Sequence, residues 1–265
     1  MVLALPHSYL DYPAVEAAAE LAECLGVQCV GTFIVEPAIA TLGERCGAQE
    51  LRSIAAGWQP IAGENLARDI AQATESARRN FARAVRRRGA DGAFRLLHGG
   101  SGQILSSLVE RSDIVAMIEP LHPADRITHQ FRDMFHAAFD APSSVMLVPS
   151  RILRKQGPVV AVATSSNDPA VRTAAGIAGL MKETVLVINA TDAPIAREVL
   201  PPGQRPARII ALTEKGRPLE TRLLEELSNA RERLIVARRG LLDGVGTRVV
   251  ADRRGVPVLL TGSDD

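Results

Sequence analysis

Two of the five histidines in the 265-residue chain, His7 and His98, close short apolar runs, and so does Glu119. Two imidazoles and a carboxylate around one crevice would bind a divalent metal or exchange protons near neutral pH. The plainer role for residues so placed is to cap strands and bond turn backbones. A second set comprises Thr164, Ser165, Arg238, Gly244 and Thr247. It supplies hydroxyls, a cation and a glycine near a helix start, which are the parts of an anion site. Glu36 and Asn189 close apolar runs as well.

His122, His129 and His136 recur every seven residues. A seven-residue step rises about 10.5 Å along a helix, too far for two imidazoles to share an ion. Ile127, Phe131, Met134, Phe135, Ala138 and Phe139 form the apolar stripe there, which turns the histidines toward solvent. The arginine run across 78–88 is expected to be a solvated helix end, its charge complementing the dipole. Cys24, Cys29 and Cys46 show no metal-ligand spacing and cannot all pair, so no disulfide framework is expected. Trp58, between Gly57 and Gln59-Pro60, is expected to anchor a turn by packing. No nucleophile elbow, zinc-binding helix or phosphate-transfer signature occurs, so no catalytic residue and no metal site is assigned.

The elements that must position these residues follow from a repeat. A shift of 156 residues lays Val2-Leu3-Ala4-Leu5-Pro6 on Pro158-Val159-Val160-Ala161-Val162, and Pro13-Ala14-Val15 on Pro169-Ala170-Val171. Two related halves, 1–150 and 157–265, are joined by a basic, glycine-containing linker at 151–157. In the first half, strands are predicted at about 2–6, 27–35, 93–97, 113–118 and 144–148, with helices at 14–25, 61–88, 102–111 and 124–139. In the second, strands are predicted at about 159–163, 184–188, 207–212, 233–237 and 256–261, with helices at 169–182, 218–229 and 241–253. Strands that are apolar throughout, alternating with helices, imply parallel sheets buried on both faces. The fold class is therefore α/β, with two doubly wound, Rossmann-like units in tandem.

Composition narrows the partners. Lys+Arg 31 against Asp+Glu 30 leaves a net charge of +1, and aromatics are 3%. Neither a global field nor a stacking surface recruits nucleic acid. No run approaches 18 apolar residues and the first residues carry no basic segment, so neither a membrane span nor a secretory signal is expected, and the expected location is cytoplasmic.

The first half resembles a universal stress protein domain. The resemblance rests on Gly100-Ser101-Gly102-Gln103-Ile104 before a helix, on Asp113-Ile114-Val115-Ala116-Met117, and on Ala141-Pro142-Ser143-Ser144-Val145-Met146-Leu147-Val148-Pro149. The second half resembles a shortened copy without a counterpart of the helix at 61–88. The resemblance implies a tandem, pseudo-dimeric stress-response or signalling protein with protein partners and no enzymatic activity, in which the fifth strands, 145–148 and 256–260, meet. A further homodimer is compatible with it. Many members of that family bind ATP through an Asp ending strand one and a glycine-rich loop after strand four. Here Leu5-Pro6-His7 lacks the Asp, and no glycine occurs between Ile118 and Ser150. The resemblance thus implies no ordinary ATP binding in the first half. In the second, Gly240, Gly244 and Gly246-Thr247 partly match the loop, so the alternative is an ATP or AMP sensor using Thr164, Arg238, Gly244 and Thr247.

Overall fold

The computed structural model describes residues 1–5, 12–42, 47, 49–50, 57–111, 113–165, 167–191, 208–212 and 216–262. The first half runs β1 (Val2–Leu5), α1 (Tyr12–Cys24), β2 (Cys29–Val35), α2 (Pro37–Ala40), β3 (Gln49–Glu50), β4 (Gln59–Pro60), α3 (Gly63–Arg88), β5 (Gly92–His98), α4 (Ser101–Leu108), β6 (Ile114–Ile118), α5 (Pro123–Arg126), α6 (His129–Asp140) and β7 (Ser144–Val148). The second runs β8 (Val159–Ala163), α7 (Pro169–Met181), β9 (Val185–Asn189), β10 (Arg208–Ala211), α8 (Leu219–Glu226), β11 (Leu234–Arg238), α9 (Gly244–Arg254) and β12 (Val258–Thr261). The segment in which a second-half counterpart of α3 would fall, 192–207, lies outside the described residues.

The α/β class is as expected, and the two halves share one ten-stranded sheet ordered β10-β9-β8-β11-β12-β7-β6-β1-β2-β5. Within this sheet each half is internally parallel. They join through the fifth strands, where β12 runs antiparallel to β7 with Val258 opposite Leu147 and Leu260 opposite Val145. That reversal sends the carboxyl ends of the two halves to opposite edges of the sheet. Each half has its own point where strand order reverses, between β1 and β6 and between β8 and β11.

Alternate residues of each strand face opposite sides, so every apolar strand feeds two cores. Leu3, Phe33, Met146, Val159 and Val236 pack under α1, α3 and α7. Val2, Val145, Leu147, Val160 and Leu260 pack under α4, α6, α8 and α9. The helices of the two halves also meet, α1 beside α7 on the first side and α6 against α9 on the second. Gly244 allows the latter contact, since a Cβ there would lie 2.7 Å from the Phe135 ring. Phe135 in turn stacks on Phe139, with centroids 4.5 Å apart. From the second half, the Arg239 guanidinium donates to the carbonyls of Phe139, Ala141 and Ser143, closing the C-terminus of α6.

Several expectations need correction. The helix expected at 124–139 is broken in two, because Thr128 leaves helical geometry to cap α6, its hydroxyl accepting from Phe131 N at 3.3 Å. The break turns Ile127 out of the apolar stripe, leaving it 75% exposed. Trp58 anchors nothing by burial and is 67% exposed. The connection between β7 and β8 does not depart from the linker reading, but it is held at two points: Arg154 donates to Arg254 O at 3.0 Å and Lys155 to Glu16 at 2.9 Å. Gly157 is needed within it, at φ 126°, because a side chain would collide with Arg231 O. The arginine run is not uniformly solvated, since Arg88 reaches inward to Glu16 and Glu20 at 3.4 and 3.2 Å.

Substituting Gly244→Ala should force α6 from α9 and cost about 1–3 kcal/mol in urea unfolding. Adding Phe135→Ala should return part of that loss; equal losses in the single and double variants would show that the ring contact does not govern the interface.

Candidate functional site

Ligands of doubly wound sheets sit beyond the strand carboxyl ends, where strand order reverses. At the first such point β6 is followed by Glu119, whose amide donates to Val148 O at 2.9 Å. The side chain is 1% exposed. Arg126 of α5 lies 3.6 Å from one carboxylate oxygen, and Arg248 of α9 lies 2.6 Å from the other. Arg126 also pairs with Asp252 of α9 at 2.6 Å. The Arg248 Nε–H is not aligned on Glu119, and neither Glu119 oxygen accepts a hydrogen bond. Burial first, then the neighbouring Asp252 carboxylate, pushes the Glu119 carboxyl up to about 8 against the opposing pull of Arg126 and Arg248. A proton retained there keeps the group neutral in its buried site.

His7 lies outside the described residues. His98 is exposed at the end of β5. Three strand spacings separate β5 from β6, about 14 Å, so His98 and Glu119 do not share an ion. Among the described residues no group of three or more His, Cys, Asp or Glu is placed to hold a metal. His122, His129 and His136 are exposed, as expected, and His129 pairs with Asp133 at 3.2 Å. Glu36, at the end of β2, instead meets the start of α4: its carboxylate accepts from the Ser101 hydroxyl and, at 3.4 Å, from the Ser101 amide.

At the second reversal point Thr164, Ser165 and Arg238 stand at the carboxyl ends of the neighbouring strands β8 and β11, and Gly244 and Thr247 lie in the helix that follows β11. Ser165 and Arg238 are exposed. Thr164 donates through both its amide and its hydroxyl to Asp168 at 2.9 Å. Thr247 is fully buried, its hydroxyl donating to Asp243 O at 2.7 Å. The Asp243 carboxylate takes the Gly246 amide at 2.6 Å, and Phe135 covers Gly244. Arg239, next to Arg238, is occupied at the end of α6.

The residues that sequence reading missed are Asp168 and Asp243, both helix N-caps, and Arg126, Arg248 and Asp252. Asp168 ahead of Pro169 is a legible start signal, as is Asp243 ahead of a glycine. Arg248 and Asp252 become visible only once the halves are docked, and Arg126, seven residues from Glu119, only once α5 forms. Cys29 is buried, which pushes its thiol up to about 11, so it is unreactive as expected.

Compared whole, this architecture matches solved structures along its full length. The crystal structure of a universal stress protein from Archaeoglobus fulgidus DSM 4304 aligns with a TM-score of 0.64 at 14% identity, covering 100% of this chain and 97% of that one. The fold is that of a universal stress protein. A functionally unknown protein, PA1789, from Pseudomonas aeruginosa PAO1 aligns with a TM-score of 0.55 at 16% identity, covering 100% and 92% of the two chains. No family model matches the sequence, and no curated protein does. Among the described residues no helix is long and apolar enough to cross a membrane.

The Glu119 cluster has a measurable signature. The folded chain keeps this proton to about pH 8, whereas the unfolded chain releases it near 4.5. Native protein therefore binds more protons across that window, and stability falls as pH rises through it, then levels off. Relative to Glu119→Gln, the wild type should lose up to about 1.4 kcal/mol per pH unit between pH 5 and 8. Parallel stability profiles for the two proteins would contradict the shift.

Proposed function

We propose that the chain is a tandem member of the universal stress protein family, a non-enzymatic stress-response or signalling protein that lacks ordinary ATP binding in its first half. The observation that carries this reading is the buried Glu119 carboxylate, which follows β6 where a nucleotide-binding member has its glycine-rich loop. A phosphate approaching Arg126 and Arg248 would meet a group already held 3.6 and 2.6 Å from them, which occupies the space between the two guanidinium groups. Pro120 and Pro123 remove two further amide donors from the same segment. The second half supports the reading in a different way, because Asp243 occupies the amide at the start of α9 and Phe135 covers Gly244.

Action through protein partners in the cytoplasm is the proposed mode. Ile127 and Val245, at 75% and 69% exposure, offer apolar contacts beside the α6–α9 seam that the fold itself leaves uncovered.

Thermal unfolding with ATP, ADP, AMP and cyclic AMP tests the proposal. A ligand present at about 100 times its dissociation constant adds about 2.7 kcal/mol, a shift of several degrees. The expected result is no concentration-dependent shift with any of the four. A shift that Arg238→Ala removes would favour the adenine-nucleotide sensor instead.

A further inference from the structure

At the opposite edge from Glu119, the amino ends of β1, β2 and β6 open onto a trough of about 590 Å³. The trough exists because α4 is too short. Its eight residues extend about 12 Å, while the seven-residue strands β2 and β5 beneath it extend about 23 Å. The helix ends at Leu108, leaving the lower part of that sheet face bare. Val2, Val30 and Leu108 give the trough an apolar wall, and Thr32 and Arg95 contribute polar groups.

Thr32 is the anomaly. It is 1% exposed, and its hydroxyl has no hydrogen-bond partner. An orphaned buried hydroxyl is destabilising and calls for an explanation. The internal repeat supplies a control. Leu3 pairs with Gly31, and its counterpart Val159 pairs with Val185, so Thr32 corresponds to Leu186. Leu186 is part of the apolar core in the second half. The first half thus places a hydroxyl where its sibling places a core leucine. Arg95 sits directly beside Thr32 in register, and no ion pair engages it among the described residues. Arg208 holds the matching place beside Leu186, so it is the hydroxyl, not the arginine, that sets this half apart.

We propose that the trough binds a small organic monocarboxylate. Its carboxylate lies between the Arg95 guanidinium and the Thr32 hydroxyl, and its apolar body lies along Val2, Val30 and Leu108. The planar guanidinium fork suits a carboxylate, and the hydroxyl supplies a further donor. Glu110 and Asp113 line the far side, so a second negative charge is repelled. That selects a monoanion over a phosphate dianion.

The test is titration of the full chain with benzoate and with hexanoate at pH 7, followed by amide chemical shifts, with inorganic phosphate as control. Saturable binding is expected for at least one acid, with shifts at β1, β2 and β5. Arg95→Gln should weaken it about tenfold or more. Thr32→Val should weaken it severalfold while leaving the melting temperature unchanged or raised, since the substitution removes an unpaired hydroxyl. Arg95 is exposed, so its variant should fold. Three results would each overturn the proposal: no saturation by either acid up to about 10 mM, a Kd corresponding to under about 3 kcal/mol; binding unchanged by Arg95→Gln; or phosphate binding as tightly as the acids.

Discussion

Between β7 and β12 the direction of the sheet reverses, and that antiparallel ladder decides which charges of the two halves can meet. It brings the upper end of α9 to the first half's strand ends, so Arg248 and Asp252 reach Glu119 and Arg126. On the other face it lays Arg233 against Glu20 at 3.0 Å and Lys155 against Glu16 at 2.9 Å. Burial would raise the Glu16 carboxyl, but Lys155, Arg88 and Arg87 together hold it below its ordinary value. That contribution is present above the unfolded carboxylate pKa and is lost as pH falls through the folded one. The two networks therefore respond to pH in opposite senses, Glu16 weakening in acid and Glu119 toward alkaline pH.

A common device runs through the helix starts. Exposed amides at a helix N-terminus attract anions, and in this chain carboxylates of the protein itself answer them. Asp168 serves α7, Asp243 serves α9 and Glu36 reaches across from β2 to α4. Glu119 extends the pattern to a loop with no helix amides to offer, facing two guanidinium groups instead.

The architecture was legible because its signal is local and repeated. Apolar runs with no alternation gave parallel strands, and the 156-residue offset lays β1 on β8 and the start of α1 on that of α7. Cap geometry was less legible: Thr128 ends one helix and begins another within a continuous apolar pattern, and periodicity alone read straight through it. Glu119 was recognised as a residue ending a strand, but its burial was not foreseeable. Two of its partners, Arg248 and Asp252, lie more than 120 residues downstream and arrive only through docking. Gly244 misled for a related reason. Its lack of a side chain serves Phe135 of the other half, a contact that nothing in its own neighbourhood announces.

The same ladder has a temporal consequence. Leu147 and Val258 are 111 residues apart, so on the ribosome the free flank of β7 waits for its partner through all that intervening synthesis. At about 5–20 residues per second the delay is roughly 6–22 seconds. For that interval an apolar strand with unpaired amides and carbonyls is presented to every other nascent copy, a template for intermolecular pairing. A crowded polysome is where this chain is most exposed to misassembly, and a holdase chaperone acting on the half-made chain would find its target along residues 144–148.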